Sequence, residues 1–171
     1  MPRTTSLPIS QPWFKDGLSF QCTQCGNCCT GGPGYVWVSD EEVDRLAAHF
    51  SLTREETLRK YCRKIRGRLS LKEHRDEHGE YPCIFLTEEN SRDARGKRVT
   101  KRGCSIYPVR PLQCRTWPFW DGNLTDRDAW DSTTKKCPGV NRGKAYTPEQ
   151  IVALQDAEDW PDVPKTPSSI V

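Results

Sequence analysis

The chain has 171 residues, of which 35% are hydrophobic and 29% charged, with thirteen prolines, twelve glycines and nine cysteines. That is enough for one domain with a thin apolar core and much loop, and the cysteines are the evident means of holding the loops. Lys and Arg number 26 against 23 Asp and Glu, a net charge of +3, too balanced to argue for nucleic acid on charge alone. No apolar run of signal-peptide length follows Met1, and no stretch approaches the roughly 20 apolar residues that span a bilayer. The chain therefore reads as cytoplasmic, without a membrane partner and with its thiols reduced.

Residues 1–17 read as an irregular N-terminal segment, with Pro2, Pro8 and Pro12. Cys22 to Gly34 is dense in Cys and Gly and reads as a loop wrapped on something. Tyr35-Val36-Trp37-Val38 is a short strand candidate. Ser39-Asp40-Glu41-Glu42 is a capping box that opens a helix with Val43, Leu46, Ala47 and Phe50 on one face. Thr53-Arg54-Glu55-Glu56 is a second capping box, and Leu58, Tyr61, Cys62 and Ile65 form the stripe of a second helix ending near Gly67. Leu69-Ser70-Leu71 and Cys83-Ile84-Phe85-Leu86 read as strands. Residues 88–102 read as a charged hairpin arm turning at Gly96, and Ser105-Ile106-Tyr107 as a short strand. Residues 108–123 are too rich in Pro and aromatics for regular structure. Thr147-Pro148-Glu149-Gln150 caps a last helix running to about Asp159, after which Pro161, Pro164 and Pro167 mark a loose tail. The expected architecture is α+β: a small, loop-rich, metal-stabilised single domain over residues 18–145, with short strands, two or three peripheral helices, and residues 146–171 as a C-terminal helix and Pro-rich tail.

The chemistry lies in Cys22-Thr23-Gln24-Cys25-Gly26-Asn27-Cys28-Cys29. Two residues between cysteines let the chain turn so that both sulfurs face one point about 2.3 Å from each. Gly26 accepts the positive φ such a turn needs, and the amides of the turn can face the thiolates. Cys28 extends the spacing to that of iron–sulfur ferredoxins. Side chains of adjacent residues tend to diverge, so Cys28 and Cys29 point to two neighbouring sites, or to one cluster with a second centre beside it. Cys83, Cys104, Cys114 and Cys137, each beside turn-forming or rigid residues, supply the remaining candidate ligands. Eight thiolates match two four-ligand sites. Cys62, on an apolar stripe, reads instead as a buried small hydrophobe, and His49, His74 and His78 are not needed to complete the set. Arg110 and Arg115, either side of Cys114, are candidate donors that offset the negative charge of a thiolate-rich centre. Trp117, Phe119 and Trp120 read as a cover that keeps water out.

These residues resemble a known family, the bacterial YkgJ-type cysteine-cluster proteins, described as zinc- or iron-chelating domains with a C-x-x-C-x-x-C-C core. The likeness runs through Phe20 to Cys29, the helix from Ser39 to Ala47, Tyr81-Pro82-Cys83-Ile84-Phe85-Leu86, and Cys104-Ser105-Ile106-Tyr107-Pro108-Val109-Arg110-Pro111-Leu112-Gln113-Cys114-Arg115-Thr116-Trp117-Pro118. The resemblance implies metal binding by the cysteines, without a settled reaction. A related region in flagellin lysine methylases implies iron–sulfur chemistry in some relatives, but this chain carries no further domain for S-adenosylmethionine, and its charged arm is longer than the family pattern.

No catalytic base, phosphate loop or nucleotide fingerprint is legible. The expected cofactor is an iron–sulfur cluster or iron, with zinc as the alternative, since tetrahedral sulfur sites suit both. The functional readings are a structural metal protein, a redox or methyl-transfer-related iron–sulfur enzyme or accessory protein, and a metal-delivery adaptor. The basic segments 59–68 and 92–102 are the candidate contacts for a protein partner.

Overall fold

The structure, a computed structural model, describes residues 12–157. It has the α+β architecture expected from the sequence, with short strands in three small sheets. Strand β1 (Leu18–Phe20) pairs antiparallel with β7 (Val140–Tyr146), Leu18 opposite Tyr146. A second sheet has the order β2 (Trp37–Val38), β4 (Arg68–Leu71), β3 (Cys62–Ile65). The third is a ribbon of β5 (Leu86–Arg92) and β6 (Arg98–Cys104).

Helix α1 (Asp40–Phe50) begins where its capping box places it. Ser39 Oγ accepts from the Glu42 amide at 3.2 Å, and the Ser39 amide donates to Glu42 Oε2 at 3.0 Å. Such caps contribute about 1 kcal/mol each. Val43, Leu46 and Ala47 are buried as the helical spacing requires. Helix α2 (Arg54–Tyr61) has the same cap at Thr53 and Glu56. It ends earlier than expected. Cys62 leaves the helix at φ −114° and ψ 155° and starts β3, which folds back on β4 through Arg66 and Gly67, both at positive φ. Two successive left-handed residues make the tight turn that a two-residue hairpin prefers, so strand pairing outweighs the helical stripe. Cys62 is still buried, at 6% exposure.

Three further expectations are corrected. Of Cys83 to Leu86 only Leu86 enters a strand: Cys83 makes a single bridge with Glu73, and Ile84 and Phe85 form a turn closed by the Leu86 amide on the Cys83 carbonyl at 2.9 Å. Ser105-Ile106-Tyr107 is not a strand but a turn running into a 3₁₀ segment, Tyr107–Val109. Residues 108–123 hold two short helices, α3 (Leu112–Thr116) and α4 (Asp121–Leu124), because the prolines flank the helical residues rather than interrupt them. Helix α5 (Arg127–Thr133) follows, capped by Asp126, whose carboxylate accepts from the Ala129 amide at 2.8 Å. Helix α6 (Pro148–Asp156) is capped by Thr147 and Gln150 as read, and it ends before Asp159. Residues 1–11 and the Pro-rich tail lie outside the described residues.

Two apolar clusters carry the packing. Phe14, Leu18, Phe20, Phe119, Leu124, Trp130, Cys137, Val140 and Ile151 form one. Val38, Val43, Leu46, Cys62, Leu71, Phe85 and Ile106 form the other. Each fully buried large side chain contributes about 1.5–3 kcal/mol. Cys22 packs against the first cluster, and Cys83 and Cys104 against the second. Among the described residues no helix is long and apolar enough to cross a membrane.

Candidate metal centre

Seven of the candidate cysteines line one cavity of about 80 Å³: Cys22, Cys25, Cys28, Cys29, Cys104, Cys114 and Cys137. The eighth, Cys83, adjoins them: its amide donates to the Cys29 carbonyl at 2.8 Å, and its thiol hydrogen-bonds that of Cys29. None of the nine cysteines is in a disulfide, and Cys62 is not among the lining residues.

The upstream loop is shaped by two left-handed residues, Gln24 at φ 56° and Gly26 at φ 74°. A Cβ on Gly26 would lie 2.8 Å from both Arg102 Cβ and Leu86 Cδ1, at the foot of the β5–β6 ribbon, so glycine is required there for space as well as for conformation. The Gln24 amide faces Cys22 Sγ at 3.4 Å, the amide-to-sulfur arrangement that the spacing implies. A 3₁₀ turn, Asn27–Cys29, then brings the two adjacent thiols to the same side, with their sulfurs 3.8 Å apart. The expected divergence of Cys28 and Cys29 is thus not found. Their separation matches the roughly 3.8 Å edge of a sulfur tetrahedron around a metal at about 2.3 Å.

The downstream cysteines arrive from separate elements. Cys104 ends β6 opposite Leu86. Cys137 follows α5 and lies next to the β1–β7 pairing, where the Gln21 amide donates to the Gly139 carbonyl at 3.1 Å. Asn27 Nδ2 donates to the Lys136 carbonyl at 2.8 Å and draws the two loops together. Cys114 sits on α3, which is fixed at two points. Glu42 Oε1 accepts from the Leu112 amide at 2.7 Å, and Gln113 Oε1 accepts from the Trp37 amide at 2.7 Å.

Arg110 faces the sulfurs. Its Nη1 is 3.8 Å from Cys22 Sγ, its Nε donates to the Tyr107 carbonyl at 3.0 Å, and its guanidinium lies 3.6 Å over the Tyr107 ring. Arg115 points elsewhere, half exposed and 3.8 Å from Glu42 Oε1. Trp117 lines the cavity and its Nε1 donates to Cys137 Sγ at 3.4 Å. Trp120 packs edge-on against Trp117, and Phe119 belongs to the first core. The contacts of Tyr107 with Arg110 and of the Trp117 N–H with Cys137 are not expected from the sequence. The spacing that carries them, Tyr107 three before Arg110 and Trp117 three after Cys114, was visible but has no general ligand signature.

The electrostatics describe a set of thiols that cannot all ionise unaided. Burial pushes Cys114 well up, and Cys28, Cys83 and Cys104 add to the effect. Burial also raises Cys104. The thiol of Cys29, hydrogen-bonded to Cys28 and Cys83, is held far above its usual range. The bond from Cys29 to Cys28 lowers Cys28 to about 7, with Arg110 assisting against burial, and the bond from Cys29 to Cys83 lowers Cys83. A bound cation reverses this balance, since a coordinating thiol is deprotonated outright. Among the described residues no three His, Cys, Asp or Glu side chains are yet gathered around a single point at metal-holding geometry. The sulfurs instead ring a small cavity. Seven thiols in one lining, with a guanidinium and an indole N–H among them, fit a soft or borderline metal such as zinc or iron.

Thr23, Gln24, Cys25, Asn27, Gly103 and Cys104 also line a polar cleft of about 1180 Å³ between the ribbon and the 76–80 turn, so the cavity and the cleft share a wall.

The family model described as "CxxCxxCC: Putative zinc- or iron-chelating domain" matches residues 21–138, which hold all eight candidate ligands. A relative from Methanocaldococcus jannaschii, "Uncharacterized protein MJ0661", is 29% identical over 135 residues, covering 76% of this chain and 63% of that protein. The chain therefore spans less than two thirds of that relative's length. No solved structure matches the chain.

Proposed function

The chain belongs to the CxxCxxCC family of zinc- or iron-chelating domains, and from that premise we propose that Cys22, Cys25, Cys28, Cys29, Cys83, Cys104, Cys114 and Cys137 bind an iron or iron–sulfur centre, with zinc as the alternative. The observation that supports this most is the convergence of seven cysteines, from elements across the chain, on one cavity, with the eighth bonded to its wall. Such a centre supplies either a rigid junction or a redox group. The protein's own residues hold and screen it. Arg110 offsets thiolate charge, the Trp117 N–H donates to Cys137, and the rings of Tyr107 and Trp117 limit water.

The polar cleft that shares a wall with the cavity favours an accessible centre over a closed structural one. On that reading the protein acts in redox or methyl-transfer chemistry, as an accessory iron–sulfur protein, or as a metal carrier, in a reducing compartment such as the cytoplasm. Anaerobic purification with metal and sulfide analysis and an absorption spectrum tests it. Iron with acid-labile sulfide is the expected result. About two zincs per chain and no colour would move the assignment to a structural zinc protein, and a metal-free chain under all loading conditions would overturn it.

A further inference from the structure

Above its foot, where Cys104 joins the candidate ligands, the β5–β6 ribbon takes no part in the metal site. Every residue from 87 to 102 is exposed, and the ribbon meets the body of the protein at its foot, at Leu86, Arg102, Gly103 and Cys104. Its charges change along its length. Near the foot, Glu88 pairs with Arg102 at 2.7 Å, and Glu89 stands opposite Lys101. Beyond Asn90 the compensation ends. Residues 92–98 hold four cations, Arg92, Arg95, Lys97 and Arg98, against one acid, Asp93. The Asp93 carboxylate is taken up by the turn, accepting from the amides of Arg95 and Lys97 at 2.9 Å each.

Arg92 and Arg98 are direct cross-strand partners. Like charges placed opposite each other destabilise a sheet, and an isolated two-stranded hairpin is marginal in water. Among the described residues no carboxylate lies within ion-pair distance of Arg92, Arg95, Lys97 or Arg98. The arrangement is a cost to the free protein, and an external polyanion removes it.

The distribution of the charge selects the polyanion. The cations surround the end of the ribbon: Arg92 and Arg98 share one face, while Arg95 and Lys97 belong to the turn. A flat acidic protein surface would meet only one face. Val99, at 41% exposure, is the one exposed large apolar residue on the arm, which is too little for the apolar and aromatic anchors on which protein interfaces depend or for the stacking platforms that hold single strands. A groove walled by phosphates on both sides meets all four cations. The major groove of B-form DNA is about 12 Å wide and admits a two-stranded ribbon, whereas the A-form major groove is too narrow and deep to be read.

We propose that the β5–β6 ribbon is a docking arm for B-form duplex DNA, with Arg92, Arg95, Lys97 and Arg98 set against the phosphates. The near-neutral whole-chain charge conceals this concentration at one tip. The test is fluorescence anisotropy of a labelled short DNA duplex with the full-length, metal-loaded protein over a range of KCl concentrations. Single-stranded DNA, duplex RNA and polyglutamate serve as comparison probes. The expected result is duplex binding whose log affinity falls with log salt at a slope between about −3 and −4. The R92E/R98E variant should bind on the order of 100-fold more weakly with a shallower slope, and R92Q/R98Q should lose less. Both variants should keep wild-type metal content and melt no lower than the wild type, so a failure of the arm is distinguishable from a failure of the metal centre. Absence of duplex binding, equal affinity for any of the comparison probes, or unchanged binding by folded variants would overturn the proposal.

Discussion

The amide of Cys83 donates to the carbonyl of Cys29 at 2.8 Å, so the last cysteine of the upstream motif and the first of the downstream set are joined through the main chain. Their thiols also hydrogen-bond. The polypeptide thus brings ligands from distant segments together by peptide hydrogen bonds.

This makes the ligand set testable by substitution. C29S and C114S are expected to weaken metal binding by more than about tenfold and to lower the melting temperature, because binding and folding are coupled. C62S should keep full metal content, since Cys62 lies in the second apolar cluster away from the cavity. Metal analysis of the purified variants decides. Metal loss in C62S would show the assigned set to be wrong.

Glu42 links α1 to the cysteine on α3. It is buried, caps Ser39, and accepts from the Leu112 amide at 2.7 Å. E42A leaves both amides without an acceptor, and each buried unpaired donor costs about 1–3 kcal/mol. Urea unfolding should show a loss of about 2–3 kcal/mol, with weaker metal retention because Cys114 is no longer anchored. A change under 0.5 kcal/mol, the usual range for an ordinary surface site, would remove Glu42 from this role.

Gly26 and Gly96 have nearly the same backbone, φ 74° and φ 76°, but Gly96 has open space around it. G96A therefore meets only the left-handed penalty of about 1–2 kcal/mol, on an exposed arm, and should leave metal content unchanged. G26A adds a clash with Arg102 and Leu86 at the wall of the cavity and should lower both melting temperature and metal occupancy. Equal behaviour of the two variants would mean that the contacts at Gly26 are unimportant.

Trp117→Phe keeps a ring over the cavity and deletes the N–H donor to Cys137 Sγ. A hydrogen bond to a charged sulfur is worth about 1.5–3 kcal/mol. The expected outcome is retained metal with a shifted thiolate-to-metal absorption band. An unshifted band with full occupancy would indicate that Cys137 is not a ligand.

Local signals were legible where the chain satisfies its own backbone. The three capping boxes at Ser39, Thr53 and Thr147, the glycine at position 26 and the hairpin turning at Gly96 each depend on residues close in sequence. The misreadings lie where a distant partner decides. Cys62 fits a helical stripe but becomes a strand because Leu71 stands opposite it. Helix α3 was hidden by its flanking prolines, and its first amide is satisfied by Glu42, far earlier in the chain. The candidate ligands were visible as residue types and spacing. Their common cavity was not, since it depends on Gln21–Gly139, Asn27–Lys136 and Cys29–Cys83 pairings. Arg110 and Arg115 were equivalent in sequence, and only the fold turns the first toward sulfur and the second toward Glu42.

The cysteines are shared between two separately packed apolar clusters, Cys22 and Cys137 with one, Cys83 and Cys104 with the other. An ion or cluster bridging them would act as a rivet through two plates. Losing it would let the plates swing before either one melts. Metal depletion would then register first as heightened protease cleavage in the connecting loops, ahead of any loss of helix signal, and the amount of intact protein in a cell would follow its metal supply.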